Sequence, residues 1–376
     1  MATSFINDFS LLSRGMLAAA SIFFAALMPE SSFAVTADGS AGKVSAETSQ
    51  GQSAAAKSDD DVLFQTKLVD FSAPTYNAAV SALFRAYEKY CGKKIKRGPK
   101  GKVGLKIYTN SGPGLSTPKN LIDAVIAQLE RRGYKKGDIT IVDMSARKMR
   151  SCGFLPKLSQ VQAGASDTYG GINVADIESG KFFDKRWYYD NALTPKNIKT
   201  SASFRENYDP EIRKSYLPVP LFLTVDFWIN LPVITDMEGL GVCAAIGNAS
   251  IWNMSNNERY LKEPANASMA AAEVCAIPEL KESNLFTIIS YENGQFVGGS
   301  VYNARFSFSE NGLYLSANPV VIDYMAWLTI NKYRRANRFK GIDDEPSVLG
   351  YCRQLGIGAC DYRKIKRINV PYKLQY

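Results

Sequence analysis

Glycine and polar residues follow the apolar segments of this sequence, at positions where they could bind a ligand. Ligands of parallel α/β sheets bind beyond the carboxyl ends of the strands, and free backbone N–H groups at a helix start favour an anion. The pattern predicts a site for a small anionic or polar ligand. The same residue types are also typical of tight turns and helix caps, which need no ligand. The candidate residues are Asn110, Gly112, Gly114, Ser116, Thr117, Asp143, Asp236, Asn248, Asn318 and Asp323.

Histidine is absent from all 376 residues. Its absence excludes Ser-His-Asp and Cys-His catalysis, and it excludes haem and other metals bound through histidine. Acid–base chemistry would require Asp, Glu, Lys, Tyr or Cys with a pKa shifted towards neutral pH. Oxygen ligands bind Mg²⁺ or Ca²⁺ without histidine, so an enzyme that uses carboxylates and a hard cation is an alternative. Its metal ligands would be Asp143, Asp226, Asp236 and Asp323.

The sequence contains six cysteines, an even number that favours disulfides in an oxidising compartment. Cys352 and Cys360 are the closest pair along the chain and lie in a Gly-rich segment, so we expect them to form a disulfide. No two cysteines have C-x-x-C spacing. A zinc ribbon, an iron–sulfur cluster or a thioredoxin-type site therefore has no support.

A strand–loop–helix–strand unit would position the first of the candidate residues. The segment 103–109 predicts a strand, and Thr117 with Pro118 predicts a helix start. An apolar stripe at helical spacing follows, Gly133 ends the helix, and 139–143 predicts a second strand. Such a unit implies two parallel strands joined by a right-handed crossover.

The rest of the pattern extends this arrangement. The polar, aromatic segment at about 150–217 predicts an irregular or β-rich insertion. We expect a single α/β domain over 62–376, with a mostly parallel sheet flanked by helices. The remaining predicted elements are a helix at 75–90, a strand or strand pair at 221–233, a helix at 265–276, strands at 285–290 and 312–317, and a helix from 318 to about 337.

The N-terminal residues are typical of an export signal. Arg14 precedes the apolar run 15–28, and Ser32 and Ala34 supply the small residues of a cleavage site. Residues 1–34 therefore predict a signal peptide, and the polar, aromatic-free segment 35–61 predicts a disordered spacer. The expected location is the periplasm or the exterior, where the protein is soluble after signal cleavage. An uncleaved N-terminal anchor is the alternative.

Basic residues cluster at 93–102, 332–340 and 363–367 in a chain of net charge +9. Such clusters occur in nucleic-acid-binding proteins, but export argues against a nucleic-acid partner. The alternative is a solvated basic surface that touches anionic lipid or cell-wall polymer.

Three motifs occur in order along the chain: GPGLSTPKNLIDAVIAQLERRGYKKGDITIVD, VDFWINLPVITDMEGLGVCAAIGN and LSANPVVIDYMAW. In this order they resemble the family called domain of unknown function 362 (DUF362), over about 102–143 and 222–328. The end motif matches at Asn318, Pro319 and Asp323. The middle motif departs, because the Lys-Thr-His and Lys-Asn of the family are absent. If the family's site depends on those groups, the resemblance implies a lost activity or a changed ligand.

Three functions remain open from the sequence. The first is a protein that binds a small anionic or polar ligand at the loop of Gly112 and Gly114, with Asp236, Asn248 and Asp323 facing the ligand. The second is the carboxylate enzyme with a hard divalent cation. The third is an envelope structural protein whose Tyr-rich insertion makes a protein contact.

Overall fold

An eight-stranded sheet forms the centre of the molecule, in the strand order β14-β1-β13-β10-β7-β2-β3-β4. The computed structural model describes residues 61–165, 167–191, 210–262, 267–342, 344–358 and 360–374. β13 is antiparallel to both of its neighbours, and every other pair in the sheet is parallel. The expected mostly parallel α/β sheet is therefore confirmed. We call the two ends of the parallel strands the amino edge and the carboxyl edge.

The strands of this sheet are β1 (Val62–Lys67), β2 (Val103–Lys106), β3 (Ile139–Asp143), β4 (Asn173–Asp176), β7 (Phe227–Asn230), β10 (Asn284–Ser290), β13 (Gly312–Ser316) and β14 (Lys366–Asn369). A four-stranded sheet contains β8 (Ile234–Met237), β9 (Gly241–Cys243), β11 (Gly294–Gln295) and β12 (Ser307–Phe308). β5 (Phe183–Asp190) and β6 (Lys214–Pro218) pair with each other.

The helices are α1 (Ala73–Cys91), α2 (Lys119–Glu130), α3 (Ala146–Ser151), α4 (Leu158–Gln162), α5 (Val219–Phe222), α6 (Ala245–Ala249), α7 (Glu258–Lys262), α8 (Ala267–Ala276), α9 (Pro278–Ser283), α10 (Pro319–Ala336) and α11 (Ser347–Gln354). Short 3₁₀ helices lie at 136–138, 210–213, 251–253 and 304–306.

Side-chain alternation along β2 separates two hydrophobic cores. Val103 and Leu105 pack with α1 and α2 on one face of the sheet. Lys106 and Tyr108 point to the other face, where Tyr108 joins the core that contains α6, α8 and α10. Both faces of the sheet are thus covered by helices, as a parallel sheet requires. This alternation places the one charged residue of β2 inside the second core.

The predicted β2–α2–β3 unit is confirmed, with β2 and β3 paired in parallel. The predicted cap differs in detail, since Pro118 is the N-cap and α2 ends at Glu130. The Thr117 hydroxyl instead donates to the Leu231 carbonyl (2.6 Å) and accepts from the Tyr108 N–H (2.9 Å). Thr117 therefore joins the loop to the segment after β7.

One other predicted element was wrong in part. The segment 221–233 is not one strand or a strand pair, because α5 ends at Phe222 before β7 begins. α5 lies tightly on β2, where a Cβ at Gly104 would be 2.6 Å from the Pro220 carbonyl oxygen. The predicted irregular or β-rich insertion at about 150–217 is confirmed: among its described residues, β5 and β6 form a separate two-stranded sheet, and β4 joins the edge of the main sheet.

The expected disulfide between Cys352 and Cys360 is absent, since both are free thiols in the structure. The reason is the packing of α11, which points Cys352 into the core near Cys275 and Asp323. Cys360 lies beyond the end of α11, near Arg353. Both thiols belong to the same core and both lie near Arg353, but they are not bonded to each other.

The predicted signal peptide at 1–34, and all of the predicted spacer except Asp61, lie outside the described residues. Among the helices that the structure describes, none has both the length and the apolar character needed to cross a membrane.

Candidate functional site

The loop between β2 and α2 lies at the carboxyl edge of the sheet and contains five of the predicted ligand residues. Two consecutive turns shape it: the Gly112 N–H donates to the Thr109 carbonyl (2.9 Å), and the Leu115 N–H donates to the Gly112 carbonyl (3.1 Å). Gly112 has a φ of 86°, a left-handed conformation that favours glycine. We call residues 109–117 the glycine loop.

Asp143, at the end of β3, holds the first residue of the glycine loop in place. Its Oδ2 accepts hydrogen bonds from the Thr109 N–H (2.7 Å) and the Thr109 hydroxyl (2.6 Å). Both residues are fully buried. Asp143 therefore acts as a positioning residue for the loop and is closed to an external ligand.

The other oxygen of Asp143 forms a buried ion pair. Lys106 Nζ lies 2.7 Å from Asp143 Oδ1, and neither side chain is exposed. The same ammonium donates to the Ile107 carbonyl (2.6 Å) and to Asn248 Oδ1 (3.0 Å), so all three of its donors have acceptors. Burial lowers the pKa of Lys106, and the Asp143 carboxylate opposes that shift. A buried ion pair of this kind persists only with such additional hydrogen bonds.

A chain of buried amides extends from Lys106 towards Asp323. Asn248 Nδ2 donates to Asn230 Oδ1 (2.8 Å), and Asn230 Nδ2 donates to the Ala245 carbonyl (2.8 Å). The Ala245 N–H donates to Asp323 Oδ1 (2.5 Å). The sequence predicts Asn248 and Asp323 as ligand residues, but the structure places both inside this network, with at most 1% exposure.

Asp323 caps the start of α6 and has no cationic partner among its hydrogen bonds. It accepts from the backbone N–H groups of Ala245 and Ile246. Burial raises the pKa of Asp323 to about 7, although these N–H bonds act in the opposite direction. Because its acceptors are occupied by α6, Asp323 does not face the glycine loop.

The glycine loop itself contains donors that have no acceptor. Asn110 Nδ2 is buried and has no hydrogen-bond partner among the described residues. The backbone N–H groups of Asn110, Ser111, Gly114 and Ser116 likewise have no acceptor in the part of the chain that the structure describes. Unpaired buried donors cost free energy. An acceptor bound at this loop would therefore be stabilising.

Neighbouring segments enclose the loop on two sides. Cys152, at the end of α3, is half-buried beside Ser116 and the Thr109 carbonyl, and burial raises the pKa of its thiol. On another side, a Cβ at Gly114 would overlap the ring of Tyr302. Asn293 also donates to the Ser116 carbonyl (3.4 Å). Cys152 and Tyr302 thus border the glycine loop on two sides.

The proposed cation site is wrong, because the four aspartates lie in four different environments. Asp236 pairs with Arg334 (3.1 Å) and accepts from the Gly299 N–H. Asp226 lies at the amino edge, where it accepts from the Gly98 N–H (3.0 Å) and the Tyr134 hydroxyl (3.0 Å). Asp143 pairs with Lys106, and Asp323 accepts from backbone N–H groups at the start of α6. Within the described residues, no cluster of three or more Cys, Asp or Glu side chains could hold a metal ion.

Asn318 also lies away from the glycine loop. It follows β13, which runs opposite to the other strands, so it lies at the amino edge. Its side chain caps α10 by accepting from the Val320 N–H (3.0 Å), and it donates to Asp61 (3.3 Å). Helix capping therefore accounts for Asn318 without a ligand. Of the ten predicted residues, the structure brings together the five of the loop and Asp143.

The residues Lys106 and Asn230 belong to the network but are not among the predicted site residues. A signal for Lys106 exists in the sequence VGLKIYT, because a charge inside an apolar strand requires a buried partner. Asn230, at the end of FWIN, carries the same kind of signal. The sequence alone does not identify the partner of either residue.

Comparison with known proteins adds little to this geometry. The sequence matches no model of a known protein family, so the resemblance to DUF362 stays a prediction. No curated protein matches it either. A crystal structure of a protein from Thermotoga maritima is similar with a TM-score of 0.33 and 12% sequence identity, over 71% of this chain and 59% of that one. A TM-score this low does not establish a shared fold.

Proposed function

We propose that the protein binds a small anion, of the phosphate or carboxylate class, at the glycine loop. The observation that carries this proposal is the buried Asn110 Nδ2 without an acceptor, in a loop whose neighbouring N–H groups are also unpaired. An anion would supply several acceptors at once. Charge-assisted hydrogen bonds of this kind are about twice as strong as neutral ones.

The surrounding charges favour an anion. The segment 109–120 contains no acidic residue, and α2, which begins at its end with Lys119, has no acid in its first turn. The exposed Lys119 starts α2, and Arg147 and Lys148 lie in α3 after β3. Asp143 is the nearest carboxylate within the site, and Lys106 neutralises it. The partial positive charge at the start of α2 adds to these cations.

The proposal extends to the location of the protein and to its resemblance to DUF362. The signal-like residues 1–34 support a protein that binds its ligand outside the cytoplasm. The resemblance to DUF362 supports a ligand site at this edge of the sheet, with a ligand different from that of relatives that carry His and Lys. Mass spectrometry of the exported protein tests the first of these points, since signal cleavage would give a chain that begins near Val35.

A titration with inorganic phosphate and with succinate tests the ligand proposal. The full chain is expected to bind one of them, with a rise in melting temperature that follows mass action. Asn110→Asp replaces the free donor with a carboxylate that repels the anion, and we expect affinity to fall at least about tenfold. Gln354→Glu, at an exposed position on α11, is the matched control and should bind as the wild type does.

Two results would contradict the proposal. One is the absence of both binding heat and thermal stabilisation with either anion. The other is equal affinity in wild type and Asn110→Asp, which would place the anion elsewhere on the protein.

A further inference from the structure

The amino edge of the sheet, opposite the glycine loop, carries a dense concentration of positive charge. Three segments meet there: 93–102 before β2, 131–136 before β3, and 363–367 at the start of β14. Together they contain fourteen Lys and Arg and no Asp or Glu. The whole chain has a net charge of only +9, so the rest of the sequence is net acidic. We call these three segments the basic edge.

Named contacts join the segments into one surface. Arg97 pairs with Asp138, directly after the second segment (3.4 Å), and Lys100 N–H and Tyr134 hydroxyl both donate to Asp226. Lys366 lies over the ring of Tyr90 at the end of α1, 5.3 Å from its centroid. The loop 92–102 leads from that end of α1 to β2. The basic edge is thus continuous from β14 to β3.

Most of these cations remain available to a partner. All of them except Arg132 are exposed. The acids that pair with members of the edge are Asp138, Asp361 and Glu88. Lys94, Lys96 and Lys100 have no side-chain partner in the part of the chain that the structure describes. The acidic residues of α9, Glu279 and Glu282, lie before β10 and are not among these partners.

We propose that the basic edge binds the surface of a bilayer that contains anionic phospholipid. A spread of exposed lysines over a broad edge matches the diffuse negative potential of such a surface. Tyr90, 38% exposed beside Lys366, offers an amphipathic ring of the kind found at lipid interfaces. Nucleic acid fits less well, because single strands are bound by several exposed aromatic rings along a groove.

A bilayer at the basic edge is compatible with a ligand at the glycine loop. The chain enters the fold at this edge, where the Asp61 carbonyl accepts from the Lys366 N–H (2.7 Å). The glycine loop lies at the opposite edge of the sheet. A bilayer bound at the basic edge would leave that loop open to solvent.

Vesicle co-sedimentation of the full chain tests this proposal. The wild type should bind vesicles of phosphatidylglycerol and phosphatidylcholine more tightly than vesicles of phosphatidylcholine alone, and less tightly as salt rises. Lys94, Lys96 and Lys100 together changed to Gln should lower the affinity for the anionic vesicles roughly a hundredfold. The matched control changes three exposed lysines away from this edge, Lys157, Lys181 and Lys185, to Gln and should bind normally.

Three results would overturn the proposal. The first is equal binding of the triple variant and the wild type to anionic vesicles. The second is equal binding of the wild type to both kinds of vesicle, since any apolar N-terminal contribution is common to them. The third is displacement from vesicles by an oligonucleotide at equal charge concentration. Inorganic phosphate at matched ionic strength should leave vesicle binding unchanged, which separates this site from the glycine loop.

Discussion

The Lys106 ammonium and the Asp143 carboxylate form an ion pair of 2.7 Å in which neither side chain reaches solvent. The pair joins β2 to β3 beneath the glycine loop, and the second oxygen of Asp143 fixes Thr109. A charge pair in a hydrophobic core seldom adds stability over apolar residues of the same size. Its consequence here is geometric, since it determines where the loop leaves the sheet.

Lys106→Met should be strongly destabilising, because it leaves the Asp143 carboxylate buried without its cation. We expect the free energy of unfolding to fall by about 3–5 kcal/mol. Urea unfolding followed by tryptophan fluorescence measures this change. The exposed Lys102, just before β2, provides the matched control as Lys102→Met. A double variant with Asp143→Asn should recover part of the loss, and equal losses for the two Met variants would contradict the role of the pair.

Asp323 should make the stability of the protein depend on pH. Its pKa is raised by burial from 3.8 to about 7, so the folded protein holds this proton more tightly than the unfolded chain does. The stabilising contribution is therefore complete below pH 3.8 and is lost as the pH rises through about 7. The loss amounts to about 4 kcal/mol at high pH.

Asp323→Asn isolates this effect because it removes the titrating group and keeps an acceptor for the Ala245 N–H. The free energy of unfolding of wild type, relative to the variant, should fall between pH 5 and pH 8. Urea titrations at several pH values measure the difference. Parallel curves for the two proteins would show that Asp323 does not titrate in this range.

The cysteines should remain reduced in the folded protein. Cys352 and Cys360 are both buried free thiols, and burial raises the pKa of both, to about 12 for Cys360. Alkylation of denatured, unreduced protein followed by peptide mass spectrometry should modify both residues. If the two residues instead resist alkylation and their peptides are found joined, with a mass two hydrogens below the sum of the two, the disulfide predicted from the spacing exists.

Local patterns were sufficient for the β2–α2–β3 unit, because apolar periodicity, Pro118 and the glycines determine it within a short stretch of chain. They were insufficient at 221–233, where a continuous apolar run does not distinguish α5 from β7. Asp226 and Asp143 are similar in sequence context, yet they lie at opposite edges of the sheet. The difference arises because one precedes its strand and the other ends it.

The network around Lys106 depends on contacts that no local pattern contains. Its partners Asp143 and Asn248 are 37 and 142 positions away along the chain. The glycine loop could be predicted as a loop from its composition. Which donors of the loop lack an acceptor could not be predicted. The shape of the loop depends on long-range contacts, in which Thr109 donates to Asp143 and Thr117 donates to the Leu231 carbonyl.

Gly114→Ala should lower the free energy of unfolding of the protein, because the added Cβ would overlap the ring of Tyr302. Because Tyr302 is 39% exposed and its ring can move part of the way, we expect a loss of about 1 kcal/mol, the lower end of the cost of overpacking. In a Tyr302→Ala background the same change should cost less than about 0.5 kcal/mol, since the obstructing ring is gone. Gly137→Ala is the control, because nothing lies within 4 Å of its added Cβ. Urea unfolding of the four proteins of the cycle measures the coupling, and the same loss in both backgrounds would show that Tyr302 does not press on the loop.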